Sequence, residues 1–325
     1  LRLVGEMHKA GVKILAGTDT ANPYCFQGFG IHDELELLVR AGLSPFAALQ
    51  TATRNPAEYV GRLHDFGTIE NGTIADLVLL ENNPLDDINN TRQIVGVVLR
   101  GHWRPNTNLQ RLLAQAKLTA KIENNGGRVK RDPTKAHQPI VEVRFSNRRL
   151  TDQQVSQVQD LTELQHLSLS NSQITDDCLT TIGRLRHLQQ LYLVNTKISD
   201  AGLASLVNLS ELQQLWLGST KITNQGLIKI ATLARLQKLG LANTVVNDEG
   251  IRNLKALSEL TELYLGGTKV SDTGLEQLSA MNGLRVLVLR DTHASDSGLA
   301  KLANLTKLER LVLTATRISD ASLHN

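Results

Sequence analysis

Cysteine is almost missing from this chain: Cys25 and Cys178 are the only two in 325 residues. A disulfide framework or a cysteine-rich metal site needs several thiols, so both are excluded. Histidine is present, but no His-x-His occurs. His8, His64 and His102 fall on a helix, in a loop and at a strand end, without metal-ligand spacing, and are assigned no chemistry. No apolar run approaches the roughly 20 residues of a membrane span, so none is expected. Leu1 is not a start methionine, so a leader can be neither read nor excluded, and the chain reads as a piece of something longer. Nothing fixes a compartment. Aromatic residues amount to 3%. The 41% hydrophobic content is too apolar for general disorder and sufficient for two domains.

The net charge is only +3, yet Arg104 to Arg149 carries eleven Lys or Arg against three Asp or Glu, which leaves the remainder acidic. This basic stretch lacks interleaved aromatics and any nucleic-acid motif. It reads as a solvated helix face, and no nucleic-acid partner is expected.

What the sequence does have is a period. Leu164, Leu188, Leu212, Leu236, Leu260, Leu284 and Leu308 each open a copy of one 24-residue pattern, and a degenerate copy at Ile140 keeps Val143, Phe145 and Leu150 in register. In LQQLYLVNTKISDAGLASLVNLSE, Leu188, Leu191 and Leu193 alternate inward as a strand, with Gln189, Gln190, Tyr192 and Val194 outward. Leu203, Leu206 and Leu209 form the buried stripe of a return segment, and Ser199 and Asp200 sit where helix starts are capped. Glycine recurs at 202, 226, 250, 274 and 298, with Cys178 in that place in the first full copy, which predicts a close approach of neighbouring coils. Threonine recurs at 196, 220, 244, 268, 292 and 316, a hydroxyl ladder satisfying turn backbone. A period in this range with L-x-x-L-x-L resembles the leucine-rich repeats in their 24-residue bacterial form, which implies a solenoid over 140–325.

Three of the six Tyr and Trp residues, Tyr192, Trp216 and Tyr264, share one outward strand position, with Gly240 between them. An aromatic strip on a concave face is the candidate surface for a protein partner. The alternative is tolerated surface variation.

The first hundred residues have no such period. Leu3, Val4 and Met7 follow helical spacing, and Val12 to Ala16 is a short strand ending in Gly17-Thr18-Asp19. Leu35, Leu38 and Val39 face one side of a helix over 33–41, while Ser44-Pro45 and Asn55-Pro56 mark two helix starts and Gly61 a stop. Asn71-Gly72 is a turn before a strand at 75–80, and IVGVVLRGHW gives another. Leu109, Leu112, Leu113, Ala116 and Ala120 then repeat helically up to Gly126-Gly127. With a strand at 128–131, the stretch 104–139 reads as a linker helix and solenoid cap.

KILAGTD (13–19), HDELELLVRAGLSPFAALQTATRNPA (32–57) and GTIENGTIADLVLL (67–80) resemble, in this order, the C-terminal end of the amidohydrolase superfamily in its imidazolonepropionase-like and prolidase-like branch. The resemblance covers 1–103. It implies an α/β fold: the incomplete end of a (β/α)₈ barrel plus β-sandwich strands. It also implies metal-dependent hydrolysis of a carbon–nitrogen bond, non-peptide or dipeptide, with zinc or a similar divalent ion. Asp19 would be the catalytic carboxylate, touching the metal and taking a proton from its water. His32, near the mouth of such a site, could touch substrate, or serve as a cap or surface residue. The family's His-x-His and later histidine ligands are not in this sequence, so an intact parent would be the enzyme and this chain alone inactive. The alternative is a non-catalytic repeat scaffold carrying an amidohydrolase remnant.

Overall fold

The structure, a computed structural model, describes residues 1–17, 30–135, 137–145 and 149–319. They fall into two compact units, Leu1–Gln115 and Ala116–Asn325.

In the first unit, helix α1 (Arg2–Lys9) is followed by an extended segment, then by α2 (Gly30–Arg40), α3 (Pro45–Ala52) and α4 (Arg54–Tyr59). Ser44 caps α3 as its spacing predicts, accepting from the Ala47 N–H at 3.2 Å with Pro45 at the first helical position. Asn55 does not cap α4, which begins at Arg54; its amide instead donates to the Ile14 carbonyl at 2.9 Å. Gly61, with φ +70°, closes the helix. Leu35, Leu38, Leu43, Ala48 and Ile88 make a core of five buried side chains.

The expected strand over 12–16 is not formed. A strand is fixed by its ladder, and no strand among the described residues pairs with this segment. It is held by single bonds instead: the Ala16 N–H donates to the Thr51 carbonyl and the Gly17 N–H to Glu34 Oε1, both at 2.9 Å. Nor do the described residues form any part of a parallel barrel sheet in this unit. The unit's only sheet among the described residues is antiparallel, built from β1 (Leu77–Leu80), β2 (Ile94–Leu99) and β3 (His102–Pro105). IVGVVLRGHW is therefore a hairpin rather than one strand. It turns at Arg100 and Gly101, whose φ values of 48° and 79° are the left-handed pair a two-residue turn requires.

The second unit is the solenoid. Helix α5 (Asn106–Asn124) contains the division between the units, and β4 (Gly127–Arg131) and β5 (Ile140–Phe145) follow it. One short strand per coil follows: β6 (His166–Ser168), β7 (Gln190–Tyr192), β8 (Gln214–Trp216), β9 (Lys238–Gly240), β10 (Glu262–Tyr264), β11 (Val286–Val288) and β12 (Arg310–Val312). All nine strands join in chain order, parallel except for the antiparallel β4–β5 pair. Each parallel register step is one repeat, so Leu167, Leu191, Leu215 and Leu239 stack in line. These leucines are wholly buried in one continuous core that runs from Ile122 to Leu305.

The columns explain the spacing. Each threonine hydroxyl donates to the leucine carbonyl three residues earlier in its own coil, as Thr196 does to Leu193 at 2.7 Å and Thr268 to Leu265 at 2.6 Å. It satisfies turn backbone within a coil rather than linking coils. The aspartates supply the link. Asp176 accepts from the Ser199 N–H at 2.8 Å, Asp248 from that of Ser271 and Asp272 from that of Ser295, each also taking the hydroxyl of the same residue. The recurrent glycines lie against this ladder: a Cβ at Gly226 would strike the Asp200 carboxylate, and one at Gly274 that of Asp248. Cys178, in the equivalent place, is buried and donates to the Thr175 carbonyl at 3.2 Å; burial and then the charge of Asp152 hold its thiol far above the ordinary range.

Candidate functional sites

Asp19, the predicted catalytic and metal-touching carboxylate, lies outside the described residues, as does Cys25. His32 is within the first turn of α2 and half-buried. Its Nδ1 lies 3.0 Å from Thr91 Oγ1, and the Thr91 hydroxyl donates to the Ile88 carbonyl at 2.8 Å. With that hydroxyl proton committed, Nδ1 carries the imidazole proton and donates to Thr91, so Nε2 keeps the lone pair. Burial, then the neighbouring Arg92 guanidinium, lowers the His32 pKa against the opposing pull of Asp33. Arg92 pairs with Asp33 and reaches Glu36 at 3.7 Å.

A cavity of about 340 Å³ opens between the end of α1, the extended segment and helices α3 and α4. His8, Lys13, Gln50, Arg54 and Glu58 are among its polar lining groups, and Lys13 pairs with Glu58 across it. His64 and His102 are exposed. Among the described residues no three His, Cys, Asp or Glu side chains converge to hold a metal ion. The described residues alone do not supply a donor set for the implied metal, and no step is routed through one.

The three aromatics, far apart in sequence, do come together. The Tyr192 and Trp216 rings stack nearly parallel, 4° between planes and 6.1 Å between centroids, and Tyr264 meets Trp216 at 4.8 Å. Gly240 makes this possible: a Cβ there would overlap the Trp216 ring, so the missing side chain lets the indole lean across β9 to touch a residue two strands away. Tyr192 donates its hydroxyl to Gln190 at 3.1 Å, with Gln214 at 3.3 Å. Tyr264 donates to Glu262 at 2.7 Å, and Lys238 pairs with the same carboxylate at 2.7 Å. Burial alone would raise Glu262, but the hydrogen bonds from Lys238 and Tyr264 prevail and hold it below the usual range. Burial and the Glu262 bond push the Tyr264 phenol up to about 12. The ring cluster was legible in the sequence as a recurring outward position. The Lys238–Glu262–Tyr264 chain was not, although its members occupy adjacent outward positions of β9 and β10.

The repeats thus form a parallel-strand solenoid, and two stretches of the chain match family models. Residues 2–104 match the model of the Amidohydrolase family, and residues 184–207 that of the Leucine Rich repeat. Ochratoxinase from Aspergillus niger is 42% identical over 82 residues, which is 25% of this chain and 16% of that protein. Adenine deaminase from Ligilactobacillus salivarius is 36% identical over 69 residues, 21% of this chain and 12% of the relative. The match therefore spans less than a fifth of either relative's length. Among solved structures, internalin C2 from Listeria monocytogenes is similar at a TM-score of 0.44 and 26% identity, covering 61% of this chain and 92% of that one. The complex PEPR1-AtPEP1 gives 0.42 and 18%, covering 66% and 32%.

Proposed function

We propose that this chain is the C-terminal part of a metal-dependent amidohydrolase that cleaves a carbon–nitrogen bond, joined to a leucine-rich-repeat domain that binds a protein partner on its concave face. The observation that carries the first half is the order of three motifs over 13–80 within a family match that runs to residue 104. The surface of the first unit agrees with it. Of the nineteen large hydrophobic side chains exposed among the described residues, seventeen, from Leu1 to Trp103, lie in this unit, and only Ile228 and Val245 lie in the repeats. Such a surface is what a partial domain presents where the rest of its core would pack. Adenine deaminase, by its name, removes an amino group from a carbon, which is the bond type proposed.

In this reading the segment is the end of a (β/α)₈ barrel with its sandwich strands, residues 1–103, followed by the cap at 104–139 and the repeats at 140–325. Asp19 is the proton-accepting carboxylate of the intact enzyme, His32 lies beside the substrate, and the metal, zinc or a similar divalent ion, is held chiefly by residues this chain does not contain. The chain alone is expected to be inactive. The test is Asp19→Asn in the intact enzyme. Loss of a general base predicts a fall in turnover of about 100-fold or more with the fold retained and bound metal only modestly reduced. Near-normal turnover with full metal would make Asp19 a turn residue.

A second reading is a repeat scaffold in which the hydrolase segment is a remnant. It is favoured by the distribution of the core, five buried residues in one cluster against a continuous column in the repeats. An upstream sequence without His-x-His and later histidines would establish it.

A further inference from the structure

Resting on the assignment of partner binding to the concave face, the geometry points to the class of partner: an extended polypeptide segment of low charge, read through its main chain. Three observations carry this.

The first is charge. The outward strand positions of coils β7 to β10 are residues 189, 190, 192 and 194 and their equivalents up to 266. Only Lys238 and Glu262 among them are ionised, and these two pair with each other at 2.7 Å. Within these four coils a charged ligand finds no unanswered opposite charge; the charges that border them are Arg290, beside Gly266, and Arg310, which acts on Glu262 and Tyr264. The same positions hold five carboxamides, Gln189, Gln190, Gln213, Gln214 and Gln237. Each can donate and accept, which matches the alternating N–H and C=O of a peptide backbone.

The second is shape. Trp216 lies between Tyr192 and Gly240, with Tyr264 beyond, so its ring is stacked within the protein rather than laid open. That disfavours ligands recognised by stacking on a free aromatic platform. Beside the rings, Gly218, Ala242 and Gly266 carry nothing larger than a methyl group, and a Cβ on Gly218 would come within 3.1 Å of the Ala242 carbonyl oxygen. A main chain can approach this floor closely. From Tyr192 to Tyr264 is three interstrand steps of ~4.8 Å, about the span of four or five extended residues.

The third is an unmet donor. Trp216 Nε1 is buried and has no hydrogen-bond partner. Buried polar groups are almost always paired, and a carbonyl of a docked segment would supply the acceptor as the indole adjusts.

The test is to pan a phage library of random 12-residue peptides on the immobilised full chain. The enriched peptides are then synthesised, and their Kd is measured by fluorescence anisotropy against wild type, Trp216→Ala and Trp216→Phe, with circular dichroism as the folding control. The expected peptides are depleted in Asp, Glu, Lys and Arg and are weakened roughly 10-fold or more by Trp216→Ala. Raising the salt should hardly change their Kd, and N-methylation of their central amides should remove binding. Charged, salt-sensitive peptides that still depend on Trp216 would overturn the proposed chemistry while leaving the concave face as the site. Peptides indifferent to Trp216→Ala, or no enrichment, would overturn the concave assignment itself.

Discussion

Asp272 shows how one side chain joins two coils, since it accepts from the Ser295 N–H and from the hydroxyls of Ser295 and Ser297. Burial by itself would raise its pKa, but these bonds outweigh burial and lower it. A carboxylate depressed in the folded state contributes stability above its unfolded pKa, near 4, and that contribution is lost as pH falls through the folded value. Asn224 already serves in this column, its Oδ1 accepting from the Asn247 N–H at 3.1 Å. Asp272→Asn should therefore fold and show a shallower loss of stability on acidification, measured by urea unfolding at pH 3 to 7. An unchanged acid profile would contradict the role. The glycine column belongs to the same contact, and Gly226→Ala, driving a methyl into Asp200, should destabilise by about 1–3 kcal/mol. The repeat of glycine at a fixed offset announced a close approach, but what it approached was hidden, because Asp200 read equally well as a helix-start charge. A third column was missed entirely: Asn171, Asn195, Ser219, Asn243, Asp291 and Ala315 all have φ between 55° and 59°. Asn and Asp tolerate this region and Ser does not favour it, so Ser219→Asn should stabilise by on the order of 1 kcal/mol, read as a higher urea midpoint.

At the scale of elements, period and register were readable and boundaries in the aperiodic part were not. The parallel ladder follows from 24-residue leucine spacing alone, since every inward leucine must stack on its counterpart to be buried. A helix over this stretch was also foreseen, but not its contact face. Leu118 and Ile122 pack on the solenoid core while Ala116 and Ala120 are exposed, and the Leu112 side chain lies outside the described part. Alanines at helical spacing carry too little apolar area to decide which face is buried. The segment at 12–16 has strand composition, but no strand among the described residues pairs with it, and pairing is a property of the neighbour rather than of the segment. Antiparallel β4, bearing Arg128 and Lys130, closes one end of the sheet, and charge on an edge strand discourages further pairing. If α5 and β4 are the cap, Ile122→Ala should cost about 2–4 kcal/mol, and a polypeptide beginning at Leu164 should melt below one beginning at Thr119. Equal melting temperatures would remove the cap assignment.

For the whole molecule, the two units differ in kind. The repeats bury an unbroken leucine column, and each coil needs only its neighbours. Among the described residues, the first unit has a core cluster of five and leaves most of the exposed large hydrophobics in solvent. A domain so sparsely packed opens at low free-energy cost. The sequence disclosed this asymmetry through one half's strict period and the other half's resemblance to part of a larger fold; it could not disclose how much apolar surface would stay uncovered, because that depends on which neighbours pack against each segment. The central proposal is a solenoid that folds independently of the sparsely packed segment before it, and native-state hydrogen exchange of the full chain tests it most directly. Amides of β5 to β12 should exchange only through global or near-global opening, with protection surviving deletion of residues 1–103. Amides of α2 to α4 and β1 to β3 should exchange faster by about 100-fold or more. Equal protection in both units, or collapse of repeat protection on that deletion, would contradict the account.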